Sequence, residues 1–181
     1  MKLILVRHGQ TEPNKLGVMQ GQEVDAPLNE KGIEQVERTA SLLSGTHADL
    51  IISSPLKRAL ETAEIINKVL QKQIITDDRL KEVSYGSLAN KTWAEIERET
   101  GDGTLQKKEK DVVFDYRPFG GESVEDVKMR VGSFLEEVKA KYPTSTLLIA
   151  THGVVVDVIH VLLPQKEKKE VDNATIHEFE L

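Results

Sequence analysis

The chain contains no cysteine. That removes disulfides, thiolate metal sites and cysteine nucleophiles from consideration. Any apolar stretch approaching the ~20 residues of a membrane-crossing helix is also missing. The first apolar run, Leu3 to Val6, is ended by Arg7 and is too short for the core of a secretion signal. Net positive charge is lacking as well: 24 Lys and Arg stand against 30 Asp and Glu, a formal charge of -6. A general nucleic-acid binder, or a protein docked on an anionic membrane, would carry a basic surface. Any anion site must therefore be a local cluster of cations in an acidic protein. A soluble cytoplasmic protein with no nucleic-acid or membrane partner is the expectation. No His/Asp cluster has metal-ligand spacing, so no metal and no other cofactor is expected either.

What is present suits one globular domain spanning 1–181, with 39% hydrophobic and 30% charged residues and no repeat or linker. Short β-branched runs predict buried strands at Leu3 to Val6, Leu50 to Ile52 and Leu147 to Ala150. Ile74-Ile75 and the alternating Thr175 to Leu181 are weaker strands. Between them, Asn29 to Leu43 places Ile33, Val36, Ala40 and Leu43 on one helical face, with Asn29 as N-cap. Leu56 to Leu70 repeats that spacing with Leu60, Ala63, Ile66 and Leu70. Ser123 to Tyr142 opens with a capping-box pattern, and Val154 to Leu163 is apolar nearly all round. Strands alternating with helices predict an α/β fold in three layers, α/β/α, with a mostly parallel central sheet. Gly101 to Gly120 has no such pattern and reads as an irregular surface excursion, a flap over a site.

Chemistry concentrates where strands end. Arg7-His8-Gly9 follows the first strand, and ligands of open parallel sheets sit at the carboxyl ends of strands. His152-Gly153 follows the Leu147 strand and precedes a helix, whose free amides and dipole favour an anion. Leu50 to Ile52 runs into Ser53-Ser54-Pro55-Leu56-Lys57-Arg58, placing Arg58 in a first helical turn. Arg58 could grip phosphate with two donors, or be a surface arginine paired with Glu61 or Glu64. Arg7, His8, Arg58 and His152 together could converge on one multiply charged group. A carboxylate would not need so many cations, and a phosphate would.

These segments resemble the histidine phosphatase superfamily, with its phosphoglycerate mutase-like fold, in the branch with an N-terminal Arg-His-Gly motif. The likeness covers nearly the whole chain. It runs through Arg7 to Asn14, Gln20-Gly21, Asp25 to Asn29, Gly32, Ser53 to Ala63, Leu80-Lys81-Glu82, Gly120 to Ser123 and Thr151-His152-Gly153. It implies that His8 attacks phosphorus and becomes phosphohistidine. Arg7, Arg58 and His152 would hold the phosphoryl oxygens, with Asn14 as a neutral donor. Glu82 would be the proton donor, ahead of the nearby Asp77 and Asp78. Gln20, Gly21 and Gly153 complete the implied substrate-binding set.

The chemistry is coherent. Phosphoryl transfer needs in-line placement and charge stabilisation, which cations supply. An imidazole attacks only through an unprotonated nitrogen, so the other should donate to a fixed acceptor, such as a carbonyl in the His8–Gly9 turn. Many relatives carry Glu-Gly where this chain has Ala89-Asn90, which removes a second carboxylate near the site. His47, His160 and His177 match no motif, Trp93 reads as packing, and Lys166 to Lys169 as a solvated loop.

Three functions follow from the resemblance: a phosphatase acting on a small phosphorylated metabolite, a mutase that returns the phosphoryl group to its bound intermediate, and a non-catalytic phosphate-binding module. The shortness of Leu88 to Gly121 favours hydrolysis over the mutase, and the full set of catalytic residues opposes the module. Oligomeric state is left open by the sequence.

Overall fold

A computed structural model describes residues 1–164 and 170–181. The Lys166 to Lys169 cluster lies outside the described residues. In chain order the elements are β1 (Lys2–Arg7), α1 (Glu12–Leu16), α2 (Glu30–Leu42), β2 (Leu50–Ser53), α3 (Lys57–Leu70) and β3 (Ile74–Thr76). They continue with α4 (Trp93–Thr100), α5 (Leu105–Lys110), α6 (Val124–Lys141), β4 (Thr146–Thr151), α7 (Gly153–Leu162) and β5 (Ile176–Glu180). Among the described residues, no helix is long and apolar enough to cross a membrane.

The strands form one sheet in the order β3-β2-β4-β1-β5. β1, β2, β3 and β4 run parallel, and β5 is antiparallel to β1. Successive residues of a strand face opposite sides. Leu3 and Leu5 of β1, with Leu147 and Ile149 of β4, enter a core with Val131 and Phe134 of α6 and Val155 and Ile159 of α7. Ile4 and Val6, with Leu148 and Ala150, enter the other core with Val36 and Ala40 of α2 and Ala63 and Ile66 of α3. The result is the expected three-layer α/β/α arrangement. Both sheet faces are covered, which is why these strands read as continuous apolar runs.

The helix starts follow local chemistry. Asn29 accepts from Gly32 N at 2.8 Å, and Ser123 with Asp126 closes a capping box at the head of α6. Ile33, expected on the core face of α2, is instead 40% exposed. Gly32 takes the inward position, where an added Cβ would lie 2.0 Å from Gln10 O. The first turn of α2 thus presses against the backbone just after His8, and Ile33 is rotated to the flank.

The 101–120 segment is not the irregular excursion expected. It contains α5 and a 3₁₀ turn at Arg117–Phe119, and it buries Leu105, Val112, Phe114 and Tyr116. Its aromatic residues anchor it: the Phe114 and Tyr116 rings stack at 5.1 Å, and Val124 N donates back to Phe114 O at 3.0 Å. The charged residues between these anchors conceal the core pattern. Phe114→Ala should therefore cost about 3–5 kcal/mol in denaturant unfolding, as for other buried aromatics. A loss below about 1 kcal/mol would show that the segment is detached from the core.

Candidate active site

Because β1, β2 and β4 run parallel and in register, their carboxyl ends open on the same side. Arg7 pairs with Thr151 and Ser53 with Ala150 at the last rungs. The residues that follow are therefore neighbours: His8 N donates to Thr151 O, and Ser54 N to Ala150 O, each at 2.9 Å. The His8 and His152 ring centroids lie 5.2 Å apart. The arrangement brings together His8, His152, Arg7 and Arg58 from their three strand ends.

His8 is 2% exposed, and its Nδ1 lies 2.7 Å from Gly9 O. A carbonyl only accepts, so Nδ1 carries the hydrogen and Nε2 has a free lone pair. Gly9 can make this turn against α2 because it has no side chain; a Cβ would meet Gly32 O at 2.5 Å. His152 is fully buried, with Nε2 2.8 Å from Ser54 Oγ. Ser54 Oγ also accepts from Leu56 N and has a second lone pair, so the contact with Nε2 fits either His152 tautomer. His152 Nδ1 is buried without a partner.

The arginines are held by main-chain carbonyls rather than by carboxylates. Arg58 is 0% exposed and donates from Nη1 to Val24 O at 3.0 Å and from Nη2 to Gly21 O at 2.8 Å. The alternative pairing with Glu61 does not form, since Glu61 accepts from Leu28 N. Gly21 makes the cradle possible. It has φ +56°, and a Cβ would meet Glu23 Oε2 at 2.4 Å and Tyr85 Cδ2 at 2.7 Å. Arg7 donates from Nη1 to Val171 O at 2.6 Å. Gly153 lies against that guanidinium, with a Cβ position 3.5 Å from Arg7 Cζ.

Among the described residues, the buried side-chain nitrogens and oxygens without a partner are Arg7 Nε, Arg58 Nε, His152 Nδ1 and Gln20 Oε1. Arg7 Nε and Arg58 Nε are donors beside His8, and His152 Nδ1 is a third when it carries the ring hydrogen. Buried donors left unpaired cost free energy, and an oxyanion is the kind of group that satisfies them. Arg7, His8, Asn14, Gln20, Gly21, Arg58, Glu82 and Gly153 all line one cavity of about 350 Å³. Asn14 Oδ1 accepts from Thr11 N and Thr11 Oγ1, which orients the side-chain amide. Among the described residues, no three His, Cys, Asp or Glu side chains cluster as metal ligands.

Glu82 is 9% exposed, and its Oε1 accepts from Val83 N at 3.0 Å. Asp77 and Asp78 are instead engaged with Arg79 and Lys81. The backbone carrying Glu82 is clamped by Arg130, which sequence reasoning missed. Its guanidinium donates to Arg79 O at 2.6 Å, Lys81 O at 2.7 Å and Glu82 O at 3.1 Å, and pairs with Glu122 at 2.8 Å. Glu122 also accepts from Ser84 N at 2.9 Å, so the Glu122-Ser123 stretch ties α6 to the acid-bearing loop.

Tyr85, Glu109, Lys110 and Asp157 line the cavity and were also missed; none sits in a motif, and Glu109 lies among lysines in the segment expected to be an irregular surface excursion. Trp93 both packs against the core and lines the cavity. Ala89 and Asn90 line a neighbouring groove instead. Asn90 adopts φ +61°, a conformation that glycine takes freely and that asparagine tolerates. His47 bonds Asp49 near the surface, and His160 bonds His177 at 3.0 Å away from the cavity-lining residues.

Protonation follows burial. His8 is pushed well below the usual imidazole range by desolvation, then by Arg58 and Arg7, and the Gly9 bond recovers part of the shift. His152 is lowered by burial and then by Arg58. These depressed groups contribute stability above the unfolded pKa of about 6.5 that is lost as pH falls toward the folded values. Glu82 is raised by burial, against the opposing pull of Arg58, and burial pushes Glu109 up to about 7. Such raised groups stabilise the fold below the ordinary carboxylate pKa, and that contribution is lost as pH rises through the raised value. The two slopes oppose one another, so acid stability does not report on any single group. The direct readout is ring ¹⁵N chemical shift. At about pH 6 His8 should be neutral with its proton on Nδ1, and an imidazolium there would contradict the site's electrostatics.

A family model described as the histidine phosphatase superfamily (branch 1) matches residues 3–181. Phosphoserine phosphatase 1 of Hydrogenobacter thermophilus is 35% identical over 154 residues, covering 85% of this chain and 72% of that protein. The probable phosphoglycerate mutase GpmB of Proteus mirabilis is 34% identical over 154 residues, covering 85% and 70%. Among solved structures, a mycobacterial glucosyl-3-phosphoglycerate phosphatase complexed with VO3 has a TM-score of 0.85 and 28% identity, covering 98% of this chain and 90% of that one. The sheet order, the paired strand-end histidines and this full-length match agree: the chain belongs to branch 1 of the histidine phosphatase superfamily.

Proposed function

We propose that this protein is a metal-independent phosphatase that moves the phosphoryl group of a small phosphomonoester to His8 Nε2 and then to water, with 1–181 acting as one domain. The observation that carries this reading is the Nδ1–Gly9 O contact of 2.7 Å, which leaves Nε2 unprotonated beside the buried, unpartnered Arg7 Nε and Arg58 Nε.

In the first step the Nε2 lone pair attacks phosphorus as the ester P–O bond breaks. Arg7, Arg58, His152 Nδ1–H and the Asn14 amide hold the non-bridging oxygens, where negative charge must be stabilised. Glu82 gives its proton to the departing alkoxide oxygen. Its raised pKa suits that task, because a carboxyl fully ionised at working pH has no proton to give. In the second step the Glu82 carboxylate takes a proton from water, whose oxygen attacks phosphorus. The P–N bond breaks, inorganic phosphate leaves, and both side chains return to their starting states. Gln20, Gly21 and Gly153 line the cavity around this exchange. Relatives named as phosphatases support hydrolysis.

A mutase would use the same first step but return the phosphoryl group to another oxygen of the bound intermediate; relatives named as probable phosphoglycerate mutases favour that second reading. The experiment is phosphate release from a panel of phosphomonoesters in excess EDTA. Native protein should release phosphate, and His8→Ala should lose at least about 10³-fold while remaining folded. Abolition by EDTA, or full activity in His8→Ala, would sink the mechanism. Isomerisation of phosphoglycerate without phosphate release would establish the mutase instead.

The role of Glu82 has its own test. Glu82→Gln should slow alkyl phosphates by about 10²-fold or more while slowing p-nitrophenyl phosphate far less, because p-nitrophenolate leaves without protonation. Equal losses on both would remove Glu82 as the acid.

A further inference from the structure

The cavity lining is of two chemical kinds. Beside His8 it includes the donors Arg7 and Arg58. It also includes Gln20, Glu109 and Asp157, which are acceptors or acids. The phosphoryl-transfer scheme uses none of these three for chemistry.

Gln20 is 6% exposed, and its Oε1 is buried without a hydrogen-bond partner. An amide oxygen can only accept, so a phosphate dianion, which has no hydrogen to give, cannot satisfy it. Glu109 is half-buried and held rigidly. The hydroxyls of Tyr85 and Tyr116 both donate to its Oε2, at 2.6 and 2.8 Å. The two phenol rings lie 5.0 Å apart and Phe114 stacks on the second, so the carboxylate is braced by the core. Among the described residues, no hydrogen bond reaches Glu109 Oε1. A solvated lysine-run glutamate would not be fixed in this way.

Charge points in the same direction. Burial pushes Glu109 up to about 7, the two phenol bonds act against that rise, and repulsion from Glu82 and Asp157 adds to it. A cation bound here would relieve that repulsion and restore the ionised carboxylate. A leaving group bearing only negative charge would worsen it. Among the described residues of the lining, apart from Arg7, His8 and Arg58, the cation is Lys110, and it is exposed.

We infer that Glu109 and Gln20 form a subsite for an ammonium group on the alcohol part of the substrate, so that preferred substrates are phosphate monoesters of amino alcohols. This rests on the phosphatase reading above. The ammonium donates to Gln20 Oε1 and Glu109 Oε1, while the phosphate occupies the donors around His8. One molecule then satisfies both kinds of unpaired group in the cavity.

The test compares kcat/KM for O-phosphoethanolamine and 2-hydroxyethyl phosphate, which differ only in an ammonium replacing a hydroxyl. Native protein should prefer the amine by about tenfold or more, the scale of one charge-assisted hydrogen bond. Glu109→Gln should bring the ratio close to one, and Glu109→Asp, which keeps the charge, should retain a preference in the same direction. A loss of folded protein lowers both rates together and leaves the ratio intact. Should Glu109→Gln not fold, the native ratio decides alone. Equal native rates, preference for the hydroxyl, or an unchanged ratio in Glu109→Gln would overturn the inference. p-Nitrophenyl phosphate, assayed in parallel, separates the two levels: its hydrolysis without an amine preference removes only the subsite. Failure of native protein to hydrolyse any of the three esters removes the phosphatase reading, and the subsite with it.

Discussion

The site depends on one electrostatic constraint: the buried Arg58 and half-buried Arg7 guanidiniums stand beside His8 with no carboxylate among the described residues bonded to either. Arg58 is 0% exposed and bonded to the carbonyls of Gly21 and Val24. Carbonyls orient the guanidinium and offset part of its desolvation, but they do not neutralise it. An acidic protein thereby keeps positive potential at one point. The same charges hold His8 neutral, since its pKa is lowered by burial and then by Arg58 and Arg7. Anion binding and nucleophile activation thus come from a single arrangement. The scaffold supplies it through parallel register, which brings three strand ends to one side, and through Gly9 and Gly21, where no side chain would fit.

The acid side of the site is built differently. Glu82 stands on a loop outside the sheet, and its position is set by Arg130, reaching from α6 to the carbonyls of Arg79, Lys81 and Glu82. Glu122 completes the clamp by holding Ser84 N. The nucleophile therefore rests on the sheet, while the proposed proton donor is positioned by a helix packed on one face of it. Burial disfavours the charged form of each group, so it lowers the pKa of His8 and raises that of Glu82 within one cavity.

What was legible in the sequence was what is local. Buried parallel strands announce themselves as apolar runs, and His8-Gly9 and His152-Gly153 stand directly after two of them. Asn29 and Ser123 cap helices as their spacing requires. Less local features were hidden. Ile33 fits the helical period of α2, yet the close approach of Gly32 to Gln10 turns it outward. Phe114 and Tyr116 belong to the core, but intervening charged residues break their pattern. Helices α1 and α4 are short and lack a long apolar face, so no periodicity marks them, although Thr11 and Thr92 cap them in the structure. Glu109 and Arg130 act through partners far away in the chain, namely Tyr85 and the carbonyls of 79–82, and no local pattern carries that information.

The most direct test of the central claim is to trap the phosphorylated protein during turnover and locate the modified atom. Rapid alkaline quenching during reaction with a phosphomonoester, followed by peptide mapping, should find a phosphoramidate on His8 that is stable to base and labile to acid. It should disappear in His8→Ala. Turnover without any phosphoenzyme, or with the phosphoryl group on another residue, would contradict the account.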